Sequence, residues 1–233
     1  HVLFTSSDKA VNPTNVMGTS KLMGERLISA ANILGRDGRT VFASTRFGNV
    51  IGSRGSVVPL FIKQIRAGGP VTITDDRMTR FIMTVEEAAR LVLESLSLAK
   101  GGEVFVTKMP VVRIRDLADV MVNILGPRFG YDPSSIGFET IGAKPGEKLY
   151  EELISDEERT RSVELESMFV VTPAFRSIYT DIEYNYPGML SEVVDMSYVS
   201  SNEACMDNKA LEKYFSTNRV LESIAGAMDE EGS

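Results

Sequence analysis

The stretch VLFTSSDKAVNPTNVMGTSKLMGERLISAANILGRDGRTVFASTRFGN, residues 2–49, decides the fold class. It opens on Val2-Leu3-Phe4, a short apolar run ending in Thr5-Ser6-Ser7, which suits a buried parallel strand. From Asn15 to Leu34 the apolar positions Val16, Met23, Leu27, Ala31 and Leu34 recur at helical spacing, and Gly35 closes the helix. Thr40-Val41-Phe42-Ala43-Ser44-Thr45 then reads as a second strand. Strand, helix and strand in this order form a βαβ unit, for which a right-handed crossover is expected.

The same alternation continues outward. A Gly-rich loop at 48–55 leads into a helix over Val57 to Ile65. Thr84 and Glu87 spell a capping box that opens a helix through Leu98. Glu103-Val104-Phe105-Val106-Thr107 is a third strand, and Ile114 to Leu125 a helix stopped by Gly126-Pro127. Beyond Glu151 the chain is more acidic and less periodic, so 156–166 and 200–233 are expected to be helical or partly disordered peripheral elements. The reading is an α/β protein built on a doubly wound parallel sheet. Its expected divisions are 1–66, then 67–155 with strand 103–107 returning to the main sheet, and a peripheral extension over 156–233.

Composition removes other classes. Among 233 residues there is one Cys, Cys205, and one His, His1, which excludes a disulfide framework and argues against a His-ligated metal or a His-based triad. A net charge of −7 argues against a general nucleic-acid binder. Mean hydropathy is −0.03, and no apolar run is long enough to span a bilayer. The charge is uneven. Residues 1–66 hold nine Lys and Arg against three Asp and Glu, whereas the rest holds sixteen against twenty-nine. A basic front in an acidic chain suits an anionic ligand, although surface charges also cluster by chance.

Five segments carry residue types with chemical capacity. Ser6-Ser7-Asp8-Lys9 ends the first strand, where open parallel sheets bind ligands. It supplies a hydroxyl, a carboxylate and an ammonium, yet Ser and Asp also favour plain turns. Met17 and Lys21 share one helix face by their i,i+4 spacing, an ordinary pairing of core and solvent residues on its own. Arg46-Phe47-Gly48-Asn49-Val50-Ile51-Gly52-Ser53-Arg54-Gly55-Ser56 offers close backbone approach, an amide and a phosphate-matching guanidinium. Asp76-Arg77-Met78-Thr79-Arg80-Phe81 and Gly142-Ala143-Lys144-Pro145-Gly146-Glu147-Lys148-Leu149-Tyr150-Glu151-Glu152 complete the set.

In that order and spacing the five segments resemble the extended short-chain dehydrogenase/reductases, and within them the nucleotide-sugar 4,6-dehydratases of capsule, flagellin and glycan biosynthesis. TSSDKAVNPTNVMGTSK is similar to their S-T-D-K-A-V-N-P-T-N-x-[YM]-G-x-[ST]-K, with Ser7 at the Thr and Met17 at the catalytic Tyr of the superfamily. A thioether neither gives nor takes a proton. The resemblance is therefore to the Met subtype, in which the Asp and Lys of the motif take on acid/base work.

The resemblance implies conversion of UDP-N-acetylglucosamine to UDP-2-acetamido-2,6-dideoxy-4-hexulose. The route is C4 oxidation, water elimination across C5–C6 and hydride return to C6, with NAD or NADP as cofactor and NAD favoured by the Met subtype. Implied catalytic residues are Ser7, Asp8, Lys9 and Lys21. Met17, Lys21, Phe47, Gly48 and Val50 would meet the cofactor. Asn49, Arg54, Ser56, Met78, Arg80 and Glu147 would meet the substrate, with Arg80 on the diphosphate and Glu147 on the ribose. The G-x-x-G-x-x-G loop that opens such folds is missing, so an N-terminally truncated chain is expected. A homo-oligomer is expected, in the cytoplasm or as the cytoplasmic domain of a membrane-anchored protein. A nucleotide-sugar epimerase of the same superfamily and a non-catalytic UDP-sugar-binding fragment are the alternatives.

Overall fold

A computed structural model describes residues 1–34, 40–53, 56–143, 145–174 and 182–221. In chain order β1 (Val2–Ser7), α1 (Val16–Leu34) and β2 (Phe42–Phe47) come first, then β3 (Asn49–Val50) and α2 (Val57–Arg66). β4 (Val71–Ile73), β5 (Thr79–Met83), α3 (Val85–Leu98), β6 (Val104–Thr107), β7 (Val111–Arg113) and α4 (Ile114–Leu125) follow. The chain continues through β8 (Phe138–Thr140), β9 (Glu152–Ile154), α5 (Asp156–Arg159), β10 (Ser162–Leu165) and β11 (Met168–Val171). β12 (Met189–Ser191), β13 (Tyr198–Val199) and α6 (Asn208–Thr217) complete it.

These elements form two compact units. One comprises 1–48, 85–109 and 151–202; the other comprises 49–84, 110–150 and 203–233. The chain therefore changes unit four times after its first change at residue 48, where sequence breaks alone suggested boundaries at 66 and 155. Breaks in periodicity mark the ends of elements, whereas the units are made by which elements pair.

In the first unit a six-stranded sheet runs β1-β2-β6-β11-β10-β12. β1, β2 and β6 are parallel, Val2 pairing with Phe42 and Ser44 with Val104. This is the Rossmann-type α/β arrangement. β11, β10 and β12 extend the sheet as antiparallel strands, which is a common edge on a parallel sheet. β10, β11 and β12 are thus not peripheral. Met168-Phe169-Val170-Val171 is a run of four apolar residues, all buried, and its length suits a strand rather than a helix. β13 pairs with β9.

The apolar stripe read on α1 faces away from the sheet. Val16, Met23 and Leu27 are exposed, whereas Gly18 and Glu25 are buried. Close approach explains the inversion. A Cβ at Gly18 would meet the Lys9 carbonyl oxygen at 2.4 Å, and one at Gly24 would meet the Phe4 ring at 2.3 Å. Glycines let this helix pack closely, Gly24 on the Phe4 ring of β1 and Gly18 on the turn that follows the strand. Among the described residues β1 pairs only with β2, and it is less buried than its apolar opening suggested, Val2 being exposed.

In the second unit β5 pairs in parallel with β3 and antiparallel with β7, while β4 pairs in parallel with β8. Phe61, Ile62, Ile65, Leu117, Met121 and Ile73 fill its core. Leu211 and Phe215 of α6 join that core, so the described part of the tail is integral here too. Gly126 stops α4 where Gly126-Pro127 predicted it. Among the described residues no helix is long and apolar enough to cross a membrane.

Candidate active site

β1 ends by turning directly into a single 3-10 turn, Asp8–Ala10. Ser7 caps it, its Oγ accepting from the Lys9 backbone N–H at 3.2 Å. Ser and Asp thus favour this turn as their types suggest, and the turn gathers Ser7, Asp8 and Lys9 at the carboxyl end of a parallel strand. Asp8 is 5 % exposed. Lys9 Nζ donates to both its oxygens, at 3.1 and 3.3 Å, so the carboxylate is neutralised by its sequence neighbour. Phe47, at the end of β2, pairs in register with Ser7, and Gly48 after it is buried.

Lys21 lies a turn and a half into α1. Its Nζ donates to the Thr5 carbonyl at 3.1 Å and lies 5.4 Å from the centre of the Phe4 ring. Met17, four residues earlier, is 63 % exposed. Ser6 and Thr45, near the ends of β1 and β2, carry buried hydroxyls with no hydrogen-bond partner.

One buried cluster escaped the sequence reading. Arg46, 1 % exposed, donates Nε and Nη2 to Glu25 at 2.8 and 2.7 Å. Its Nη1 and Nη2 donate to Glu158 at 2.8 and 2.7 Å, and Nη1 also donates to the Leu153 carbonyl at 2.8 Å. Burial by itself would lower the Arg46 pKa, but the two carboxylates outweigh it and hold the guanidinium above its ordinary value. Burial works to raise Glu158, yet the hydrogen bonds and charge of Arg46 bring it down to about 2. A capping box, Ser155 with Glu158, opens α5 and turns that carboxylate inward. The Ser155-x-x-Glu158 pattern was the one readable signal; the partners of Arg46 lie 21 and 112 residues away.

In the second unit Asn49 and Val50 form β3 beside Ile82 and Met83. Ser56 precedes α2 and its Oγ is buried without a hydrogen-bond partner. Arg54 lies outside the described residues. Met78, expected to face the substrate, is 3 % exposed and belongs to the core, because its apolar length fills space between α4 and the strands. Arg80 also departs from expectation. It is 8 % exposed, and its Nη1 donates to the carbonyls of Thr79 and Leu149 at 2.7 and 3.2 Å, its Nη2 to that of Lys148 at 2.8 Å. A buried guanidinium near carbonyls takes them, and these two nitrogens strap the turn that carries exposed Glu147.

A Rossmann-type parallel sheet with charged residues at the carboxyl ends of its strands defines a ligand-binding α/β protein. The chain belongs to the polysaccharide biosynthesis protein family, whose model matches residues 1–173. It is 56% identical over 168 residues to the uncharacterized membrane protein MJ1061 of Methanocaldococcus jannaschii, covering 72% of this chain and 50% of that protein. It is 38% identical over 181 residues to an inverting UDP-N-acetylglucosamine 4,6-dehydratase of Campylobacter jejuni, covering 77% of this chain and 51% of the enzyme. Among solved structures, Pen from Bacillus thuringiensis superposes with a TM-score of 0.83 at 38% identity, over 94% of this chain and 62% of that one. The chain spans about half the length of the curated relatives it matches.

Proposed function

We propose that the protein containing this chain is a nucleotide-sugar 4,6-dehydratase acting on UDP-N-acetylglucosamine. The observation that carries the reading is the Asp8–Lys9 pair at the end of β1. Elimination of water across C5–C6 needs a base at C5 and an acid for the departing hydroxyl. The 3.1 Å contact sets the two groups side by side, an amine for the base and a carboxyl for the acid. Lys9 then takes the C5 proton, Asp8 gives its proton to the leaving hydroxyl, and the ion pair is restored. Ser7 donates a hydrogen bond to the C4 oxygen.

Nicotinamide dinucleotide, NAD or NADP, supplies reversible hydride acceptance when bound. The donor set fits its nicotinamide end: the Lys21 ammonium, held on β1, orients the ribose and lends positive charge. Met17, Phe47, Gly48 and Val50 make the remaining contacts. For the nucleotide sugar, Asn49, Arg54, Ser56 and Glu147 are the proposed contacts. The unpartnered Ser56 hydroxyl at the start of α2 favours an anionic group there. Arg80 serves by holding the Glu147 turn. The exposed stripe Val16, Met23 and Leu27 supports self-association. We assign the chain to the cytoplasmic side, in keeping with its single cysteine.

The test is turnover of UDP-N-acetylglucosamine by the full-length protein, followed by proton NMR. Asp8→Asn is expected to bind UDP-sugar but lose roughly 10²–10⁴ in turnover, and unchanged turnover would remove Asp8 from the acid role. Lys9→Met is expected to stop solvent deuterium entering C5. Formation of a 4-epimer without elimination would favour the epimerase reading.

A further inference from the structure

We infer that Arg46 is a positioning residue for Lys21, acting through Glu25. This deepens the dehydratase reading and rests on it for its kinetic arm. Lys21 and Glu25 are four residues apart on α1 and so share one helix face. Lys21 reaches the Thr5 carbonyl of β1, and Glu25 is gripped by Arg46 of β2.

Farther along this helix Ser29 Oγ donates to the Gly102 carbonyl at 3.2 Å and Asn32 Oδ1 accepts from the Phe42 N–H at 3.1 Å, so the grip on Glu25 is the tie nearest to Lys21 in sequence. Its apolar residues Val16, Met23 and Leu27 point outward, while Gly24 packs on the Phe4 ring of β1 and Gly18 on the Lys9 carbonyl and Pro13. Glycines permit close approach but, lacking side chains, leave the helix some freedom to roll. The bidentate grip of Arg46 on Glu25 removes that freedom, because a planar fork matches a carboxylate in one orientation.

Arg46 is itself held. Its five N–H groups make five hydrogen bonds, to Glu25, Glu158 and the Leu153 carbonyl. Glu158 is fixed in turn by the Ser155 N–H and hydroxyl at 3.1 and 3.2 Å. The position of Lys21 is therefore referred to β2, β9 and the start of α5. None of these residues lies near Lys21 in sequence except Glu25.

The test uses the full-length protein with Arg46→Lys, which keeps the charge and loses the fork. The first readout needs no substrate: competitive acetylation of lysines across pH, read by mass spectrometry. Lys21 labelling is expected to rise several-fold in Arg46→Lys, with Lys63 unchanged as control. An unaltered Lys21 profile in a folded variant overturns the inference. The second readout is kinetic. Arg46→Lys is expected to lower kcat by roughly 10²-fold, the scale of a displacement near 1 Å, with little change in KM. The Arg46→Lys/Lys21→Met double variant is expected to be no slower than Lys21→Met alone, whereas multiplying effects overturn the coupling. If Arg46→Lys does not fold, Glu25→Gln breaks the same link and is read in the same two ways. A wild-type protein inactive on UDP-N-acetylglucosamine would refute the dehydratase reading and leave the labelling result to decide this one.

Discussion

Arg46 and Arg80 are both buried, one in each unit, and the contacts described for them differ. Arg46 faces two carboxylates and one carbonyl; Arg80 donates to three backbone carbonyls. The first unit thus holds a charge matched by charge, joining segments far apart in the chain. The second uses its guanidinium as a strap across a turn, beside a core of Phe61, Ile62, Leu117 and Met121 that needs no charge to hold it. A buried ion pair adds little stability over an apolar replacement but fixes orientation closely. Precision is concentrated in the unit that carries Ser7, Asp8, Lys9 and Lys21.

Removing each cation should separate the two cases. Arg46→Met leaves Glu25 and Glu158 buried beside one another without a cation, and a loss of about 3–5 kcal/mol is expected in thermal or urea unfolding of the full-length protein. The penalty should shrink as pH falls, because unpaired buried carboxylates take up protons readily. In the wild type the sign is reversed. Glu158, held down to about 2, contributes stability above its unfolded value, lost as pH falls from about 4.5 toward 2. A pH-independent loss in Arg46→Met would mean that the carboxylates reach water.

Arg80→Met fills similar volume and leaves carbonyls without their donor, a cost of about 2 kcal/mol. UDP affinity, measured by calorimetry, should fall further than the stability loss alone implies, since the Glu147 turn loses its strap. Full UDP affinity in a destabilised Arg80→Met would confine Arg80 to folding.

This contrast also explains what the sequence made legible. α4 was readable to the residue because its apolar face is buried and Gly126 stops it. α1 was readable as a helix, since 3.6-residue spacing marks a helix wherever its stripe points, but not as a helix buried on its glycines. β11, and β10 beyond it, were missed because β11 joins the sheet through β6, over fifty residues earlier. The Ser7-Asp8-Lys9 group was legible because one local turn makes it. The Arg46 cluster was not, because Arg, Glu and Glu at long separations look like surface residues until folding brings them together. Arg80 was read as a ligand contact for the same reason: a sequence does not show which carbonyls a guanidinium will find.

Glu103 gives the finest test, since it is a buried carboxylate in the first unit held by backbone amides and a tyrosine hydroxyl. It accepts from the Lys100 and Gly101 N–H groups, both at 2.6 Å, and from the Tyr186 hydroxyl at 3.0 Å. Burial raises its pKa, and these donors only partly offset that. The sign is therefore opposite to that of Glu158. Its contribution is complete below the unfolded carboxylate value and fades as pH rises through its own raised value. Glu103→Gln cannot titrate and loses one acceptor, so a cost of about 1 kcal/mol is expected. Relative to wild type that cost should be largest near pH 5 and shrink toward pH 8, followed by thermal unfolding across the range. A gap that widens with pH would mean the two amides and the tyrosine stabilise the anion more than burial penalises it, and hydrogen bonds alone would then be holding a buried charge as Arg46 holds Glu158.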